Sequence, residues 1–286
     1  MELESIKRIG VLGAGTMGQG IAQVAALADY SVILFDIHNA SLRKAEEQII
    51  KNLDKGIEKG KLTADDKKAA LERIEFTDEI SHVRCDIAIE AIIEDLHAKQ
   101  ELFISLEEVN SAETILASNT SSIPITRIAK ALKHPERFVG MHFFNPAHIM
   151  KLVEVIAGAA SSEAIVRTVQ KLAEKLGKQA VIAKDAPGFI VNRVARHFYV
   201  EGLKILEEGV ADVKGIDKLV ESSGFKMGPF RLMDLIGVDT NYSVTETMFN
   251  SFHQDAKFRP SRIQQQKVDA GHHGRKSGKG FYDYNN

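Results

Sequence analysis

Two polar side chains sit where apolar ones would pack at lower cost. His142 lies inside FVGMHFF (138–144), and Glu154 lies inside LVEVIAG (152–158). An imidazole titrates near neutral pH, with an unperturbed pKa of about 6.5, so it can take up and return a proton under working conditions. A carboxylate on one ring nitrogen would fix the tautomer and stabilise the imidazolium as it forms. A lone carboxylate in an apolar run is expensive to bury. The two anomalies therefore explain each other if they pair, and the pair is then a candidate general base. The alternative is a core histidine and a core carboxylate, each satisfied separately. The residues alone leave both readings open.

A second constellation is Gly13-Ala-Gly15-Thr16-Met17-Gly18. It directly follows an apolar strand and opens a helix, which is the context a dinucleotide-binding loop requires. Gly13 suits the tight turn. Gly15 lets the backbone approach a pyrophosphate, and Gly18 lets the helix pack close to the strand. Anionic phosphates then face the positive end of the helix. Glycine-rich turns are common, so the motif is weak alone. Asp36, 18 residues beyond Gly18 at the end of SVILFD (31–36), adds to it. A carboxylate there accepts from ribose hydroxyls and repels a 2′-phosphate, and no arginine immediately follows it, so NAD is favoured over NADP. The bland reading of the same residues is a packing turn and a solvated acid. GRKSGKG (274–280) resembles a phosphate loop, but no glycine stands four residues before a Gly-Lys-Ser/Thr, and a tail turn is expected.

The elements that must position these groups alternate along the chain. Strands are expected at 8–13, 31–36, 73–77, 85–92, 114–119, 138–144, 152–158 and 179–185. Helices are expected at 16–28, 39–60 with a further stretch after it, 96–108, from about 124, and 162–176. The strands are continuously apolar, as in sheets covered on both faces. Their alternation with helices predicts a Rossmann-like, doubly wound, mostly parallel α/β sheet. After Asp185-Ala-Pro-Gly188 the pattern changes to a long helix at 189–209 and three or four more. The expected domains are therefore 1–186, nucleotide-binding, and an all-α domain at 187–286.

Composition excludes several classes. The 286 residues are 44% hydrophobic and 27% charged, with 37 basic against 39 acidic side chains. A net charge of −2 offers no footprint for nucleic acid or an anionic membrane. No apolar run reaches the roughly 20 residues that span a bilayer. Cys85 is the single cysteine, so no internal disulfide can form, which fits a reducing cytoplasm. The N-terminal residues lack the pattern of a signal peptide. No His/Cys/carboxylate cluster has metal spacing, and no metal is expected. His134, His197, His253, His272 and His273 are isolated or lie by the tail.

GAGTMGQGIA, LASNTSS (116–122), MHFFNPAHIMKLVEVI (141–156), KDAPGFIVNR (184–193) and KSGKGFYDY (276–284) occur in this order. Together they resemble the L-3-hydroxyacyl-CoA dehydrogenase family, most closely its short bacterial 3-hydroxybutyryl-CoA members, essentially end to end. The resemblance implies reversible oxidation of an (S)-3-hydroxyacyl-CoA by NAD and a homodimer formed through the C-terminal helical domain. It implies that His142 is the base, Glu154 its orienting acid, and Ser121 and Asn192 the polar residues around the reacting oxygen. Thr16 and Met17 of the glycine loop, with Glu94, Lys99 and Asn119, fall at family NAD positions. Lys55 and Lys59 fall at positions associated with CoA. Lys51, Lys55 and Lys59 share one helix face, which is otherwise read as a solvated charge run. Ser122 is expected to cap the helix opening at Ile123-Pro124. His148 and Lys226 stand where members often have proline, which bears on chain length. The competing readings are a β-hydroxyacid or sugar-acid dehydrogenase without CoA, and a non-catalytic NAD-binding protein.

Overall fold

The computed structural model describes residues 2–285. The chain divides into two compact units, one ending at Phe189 and the other beginning at Ile190.

The first unit carries eight strands: β1 Arg8–Leu12, β2 Ser31–Phe35, β3 Ile74–Thr77, β4 Ile87–Glu90, β5 Ile115–Ser118, β6 Phe138–Phe143, β7 Leu152–Ala157 and β8 Gln179–Lys184. They form one sheet in the order β3-β2-β1-β4-β5-β6-β7-β8. Pairing is parallel except between β6 and β7. Helices α1 Thr16–Leu27, α2 Asn39–Glu58, α3 Ala64–Glu72, α4 Leu96–Val109, α5 Ile125–Ala129 and α6 Glu163–Lys175 connect them. Alternate strand residues feed two cores, because successive side chains point to opposite sheet faces. Val11, Val32 and Leu34 pack with Ile21 of α1, Ile49 of α2 and Leu172 of α6. Leu12 and Ile33 pack with Phe103 of α4 and Ile128 of α5.

The local sequence explains the helices. Along α2 the buried side chains are Leu42, Ala45, Ile49 and Leu53, spaced three or four apart, with Ile50 and Ile57 half-buried beside them and most of the remaining residues polar. Helix α3 starts at a capping box in which Thr63 and Asp66 satisfy each other's backbone N–H groups. The outermost strand β8 departs from the sequence expectation of full cover. Ala180 and Ile182 are only half-buried and Val181 is exposed, because an edge strand has a neighbour on one side only.

The second unit is helical: α7 Val191–Glu207, α8 Val213–Ser222, α9 Pro229–Ile236, α10 Val238–Ser251 and α11 Arg262–Asp269. Helix α7 starts two residues later than expected, because Gly188 and Phe189 both have positive φ. Its core is Tyr199, Leu203, Ile216, Phe230 and Met233. The GRKSGKG segment is a turn with positive φ at Gly274 and Gly278, as the tail reading predicted. The buried Asp234 carboxylate pins the tail by accepting from the N–H groups of Phe281 and Tyr282.

Candidate active site

The glycine loop joins β1 to α1. Gly13 has φ +102° and donates its N–H to the Phe35 carbonyl at 2.7 Å, and an added Cβ would lie 2.7 Å from the Ala91 carbonyl oxygen. At Gly18 an added Cβ would lie 1.7 Å from the Gly13 carbonyl oxygen, so only glycine lets the helix sit this close. Gly15 is the N-cap of α1, and nothing lies within 4 Å of the position its Cβ would take. An open face beside the N–H groups of the first turn, where Thr16 and Met17 stand, is what a pyrophosphate needs. Asp36 follows β2. Its Oδ2 accepts from the Ala14 N–H at 2.8 Å and its Oδ1 from the His38 N–H at 2.9 Å. Each carboxylate oxygen has a further lone pair for a ribose hydroxyl. These residues fit NAD. Sequence reasoning missed Ile37 and Ile93, each 71% exposed, which follow the ends of β2 and β4 and offer apolar surface for a flat base. For Ile37 the available signal was an aliphatic residue directly after the strand-end Asp36.

The His142–Glu154 pair is built by strand register. His142 and Glu154 stand directly opposite each other in the antiparallel β6–β7 pairing. The ring Nδ1 lies 2.8 Å from Glu154 Oε2, with the two residues 5% and 1% exposed. The rings of Phe144 and Phe189 flank the imidazole at 4.5 and 5.8 Å. The peptide between Asn145 and Pro146 is cis, in the connection that returns the chain to β7.

Beside them lies the loop after β5. Asn119 Oδ1 accepts from the N–H of Phe143, the neighbour of His142, at 2.8 Å. Glu94 Oε1 gathers the Thr120 hydroxyl at 2.6 Å, the N–H groups of Ser121 and Ser122 at 3.1 and 3.0 Å, and the Ser122 hydroxyl at 2.8 Å. Burial opposes ionisation of Glu94, but the Lys99 charge and the Thr120 and Ser122 hydroxyls outweigh it and hold the carboxyl below the usual range.

One sequence expectation is corrected here. Ser122 does not cap α5: the N-cap is Pro124 and no side chain caps the helix from that position, while the Ser122 N–H and hydroxyl both donate to Glu94. The first N–H groups of α5, those of Ile125 and Thr126, go instead to the carboxylate of Asp185 beyond β8, at 3.0 and 2.8 Å. The Lys99 side chain is 1% exposed, and its Nζ lies 2.5 Å from Glu90 Oε1 and 3.3 Å from Glu94 Oε2.

A cavity of about 610 Å³ opens between α1, α2, the β6–β7 connection and the end of α6, lined among others by Lys55, Lys59, Lys61, Lys151, Lys178 and His148. Lys55 and Lys59 both line this cavity, whereas Lys51 is not among the lining residues. Burial, and then the charges of Lys178 and Lys55, hold the His148 imidazole below its ordinary pKa. Lys178 donates to the carbonyls of Ala147 and Met150 at 2.6 and 2.9 Å. Asn192 belongs to the second unit, half-buried in the first turn of α7. Lys226 is exposed. Among the described residues no group of three or more His, Cys, Asp or Glu could hold a metal ion, and no helix is long and apolar enough to cross a membrane.

A doubly wound sheet with an open glycine cradle and a strand-end acid, followed by a helical unit, defines an NAD-binding oxidoreductase. The model of the 3-hydroxyacyl-CoA dehydrogenase NAD-binding domain matches residues 8–186, and the model of that family's C-terminal domain matches residues 188–284. The chain belongs to the 3-hydroxyacyl-CoA dehydrogenase family. It is 46% identical over 282 residues to 3-hydroxyadipyl-CoA dehydrogenase of Escherichia coli K12, covering 98% of this chain but only 59% of that protein. It is 41% identical to the 3-hydroxybutyryl-CoA dehydrogenase of Bradyrhizobium diazoefficiens, over 98% of this chain and 96% of the other. The crystal structure of (S)-3-hydroxybutyryl-CoA dehydrogenase from Ralstonia eutropha superposes with a TM-score of 0.95 at 39% identity, over 99% of this chain and all of that one.

Proposed function

We propose that this chain catalyses the reversible NAD-dependent oxidation of (S)-3-hydroxyacyl-CoA to 3-oxoacyl-CoA, with 3-hydroxybutyryl-CoA as the short-chain substrate. The buried His142–Glu154 pair carries the reading. With Nδ1 held by Glu154, the other ring nitrogen of His142 takes the proton from the substrate hydroxyl. Glu154 keeps the ring in the tautomer that can accept it and stabilises the resulting imidazolium. NAD, when bound in the glycine cradle, would supply the acceptor for the hydride on the carbon that carries this hydroxyl. Ser121 and Asn192 donate to the reacting oxygen or the thioester carbonyl. Gly13, Gly15, Thr16, Met17 and Gly18 seat the pyrophosphate, Asp36 the ribose, and Glu94 and Asn119 the nicotinamide end.

The phosphates of CoA fit the basic cavity. Lys55 supplies charge from α2, Lys59 from its C-cap and Lys61 and Lys151 from the connections, and a concentration of positive charge attracts such anions. A CoA substrate is also what separates this reading from a β-hydroxyacid dehydrogenase on the same architecture. We further propose a homodimer through the second unit, where Val194, Leu219, Phe225, Leu235 and Ile236 are exposed apolar residues. The enzyme works in the reducing cytoplasm, in fatty acid degradation or butanoate formation.

The test is steady-state oxidation of NADH and of NADPH with a series of 3-oxoacyl-CoA thioesters, beginning with acetoacetyl-CoA. Turnover with NADH, falling with acyl length and inhibited by free CoA, is expected. Indifference to CoA would remove the CoA assignment, and an absence of turnover across the whole series would leave a nucleotide-binding protein without this activity.

A further inference from the structure

The basic cavity is lined by Lys55, Lys59, Lys61, Lys151, Lys175 and Lys178, by one histidine, His148, and by no carboxylate. Among the described residues of the first unit, the lysines that form ion pairs are Lys67, Lys68 and Lys99, none of which lines the cavity. Ammonium groups gathered without an anion repel one another, and a cleft lined by one sign of charge concentrates the opposite ion. His148 is the one group in this lining whose ordinary pKa lies near neutrality.

His148 sits on a built turn. The N–H groups of Ile149 and Met150 both donate to the Pro146 carbonyl, at 3.0 and 2.9 Å. The buried Lys178 bridges the carbonyls of Ala147 and Met150, on either side of His148, which spends two of its three N–H groups. Helix α1 closes the other side: a Cβ added at Gly20 would lie 3.1 Å from the Ala147 Cβ and 3.5 Å from the His148 main-chain nitrogen. The backbone is thus fixed, and the half-buried side chain lines the cavity. Burial lowers the pKa of the ring, and the Lys178 and Lys55 charges lower it further. An anion seated among the same lysines offsets those charges and favours the protonated ring.

We propose that His148 is a phosphate-binding residue of this cavity that acts as the imidazolium, so that CoA binding takes up a proton and weakens as pH rises. This rests on the CoA reading of the cavity. When the bound state holds more protons than the free one, affinity is highest at low pH and is lost as pH rises through the ring's titration in the complex. Above that window the ring is neutral in both states and the lysines alone attract the phosphates. Lys178, held below its ordinary range by burial, acts in the same sense, so the ring is isolated by substitution.

Titration calorimetry on the full-length protein tests this. It compares the wild type, His148→Gln and His148→Lys, with CoA and with inorganic pyrophosphate, in two buffers of different ionisation enthalpy. At about pH 6 the wild type should take up about half a proton more per CoA than His148→Gln and bind about three- to tenfold more tightly. At about pH 8 the two should agree within about twofold. His148→Lys, charged at both pH values, should bind more tightly than His148→Gln at both. The second ionisation of the phosphate itself, at about pH 6, is common to all three proteins and cancels in the comparison. Equal proton uptake and the same pH profile in wild type and His148→Gln, or a His148→Lys variant that binds no more tightly than His148→Gln, would overturn the inference alone. His148-dependent proton uptake with pyrophosphate but no binding of CoA would support the phosphate ligand and overturn the CoA reading. Failure of the wild type to bind either compound would overturn both.

Discussion

At the scale of single residues, the proposed chemistry rests on one imidazole, His142, whose Nδ1 lies against the buried Glu154 carboxylate. Glu154 is buried and bonded to the ring, so its removal changes what the ring can do more than what the strand can do. Glu154→Gln keeps the volume and can still hydrogen-bond, but it lacks the charge that stabilises the imidazolium. Its kcat for acetoacetyl-CoA reduction should fall clearly, though less than on loss of His142 itself, with NADH affinity retained. Stopped-flow turnover and fluorescence titration of NADH check both halves. His142 and Glu154 were legible in the sequence as polar interruptions of apolar runs. Their pairing was a conjecture until the strand register was known. Lys99 was legible only as a position in a family. Its burial against Glu90 depends on α4 folding back over the ends of β4 and β5, which residue types do not encode.

At the scale of elements, the site is assembled where strands end and helices begin. The close approach of α1 to the turn after β1 requires Gly18, since an added methyl would overlap the Gly13 carbonyl. Gly18→Ala should destabilise the protein by about 3 kcal/mol, in line with overpacking, and lower NADH affinity, as read by urea unfolding and titration. The start of α5 depends on Asp185, nearly 60 residues away along the chain. Asp185→Ala should cost about 1 kcal/mol, the usual worth of a helix cap, seen as a lower urea midpoint at an unchanged slope. Strand and helix types were readable throughout the first unit, because continuous apolar runs and three-to-four spacing are strong signals. The cap of α5 was assigned to Ser122 because local sequence offers only local partners. The acceptor that actually serves it arrives from the far edge of the sheet.

At the scale of the whole molecule, cooperativity of the first unit can be followed through Cys85, the one thiol. Burial pushes it up to about 12. An unfolded thiol titrates near 8.5, so the folded state favours the protonated form. That contribution to stability is complete below about 8.5 and is lost as pH rises toward the folded value. Because the thiolate is the nucleophile and the folded state disfavours it, iodoacetamide at mildly alkaline pH should label the half-buried Cys85 more slowly in the folded than in the unfolded protein. The labelling rate should rise with urea in step with the loss of circular dichroism. Labelling of the folded protein at the unfolded rate would contradict the suppressed thiolate. The division of the chain into a sheet unit and a helical unit was expected from the change of pattern after Asp185. What the sequence could not show is which basic side chains gather around the cavity. Lys61, Lys151 and Lys178 come from separate connections, and only the packing of α2 and α6 on one face of the sheet brings them together.

The central claim is that His142 moves the proton of a 3-hydroxyacyl-CoA. Single-turnover oxidation of NADH by acetoacetyl-CoA, comparing the wild type with His142→Gln, tests it most directly. The wild type should consume one NADH per acetoacetyl-CoA, and the variant should react roughly 100- to 10,000-fold more slowly while binding NADH with the same affinity. A variant that reacts at close to the wild-type rate would contradict the account.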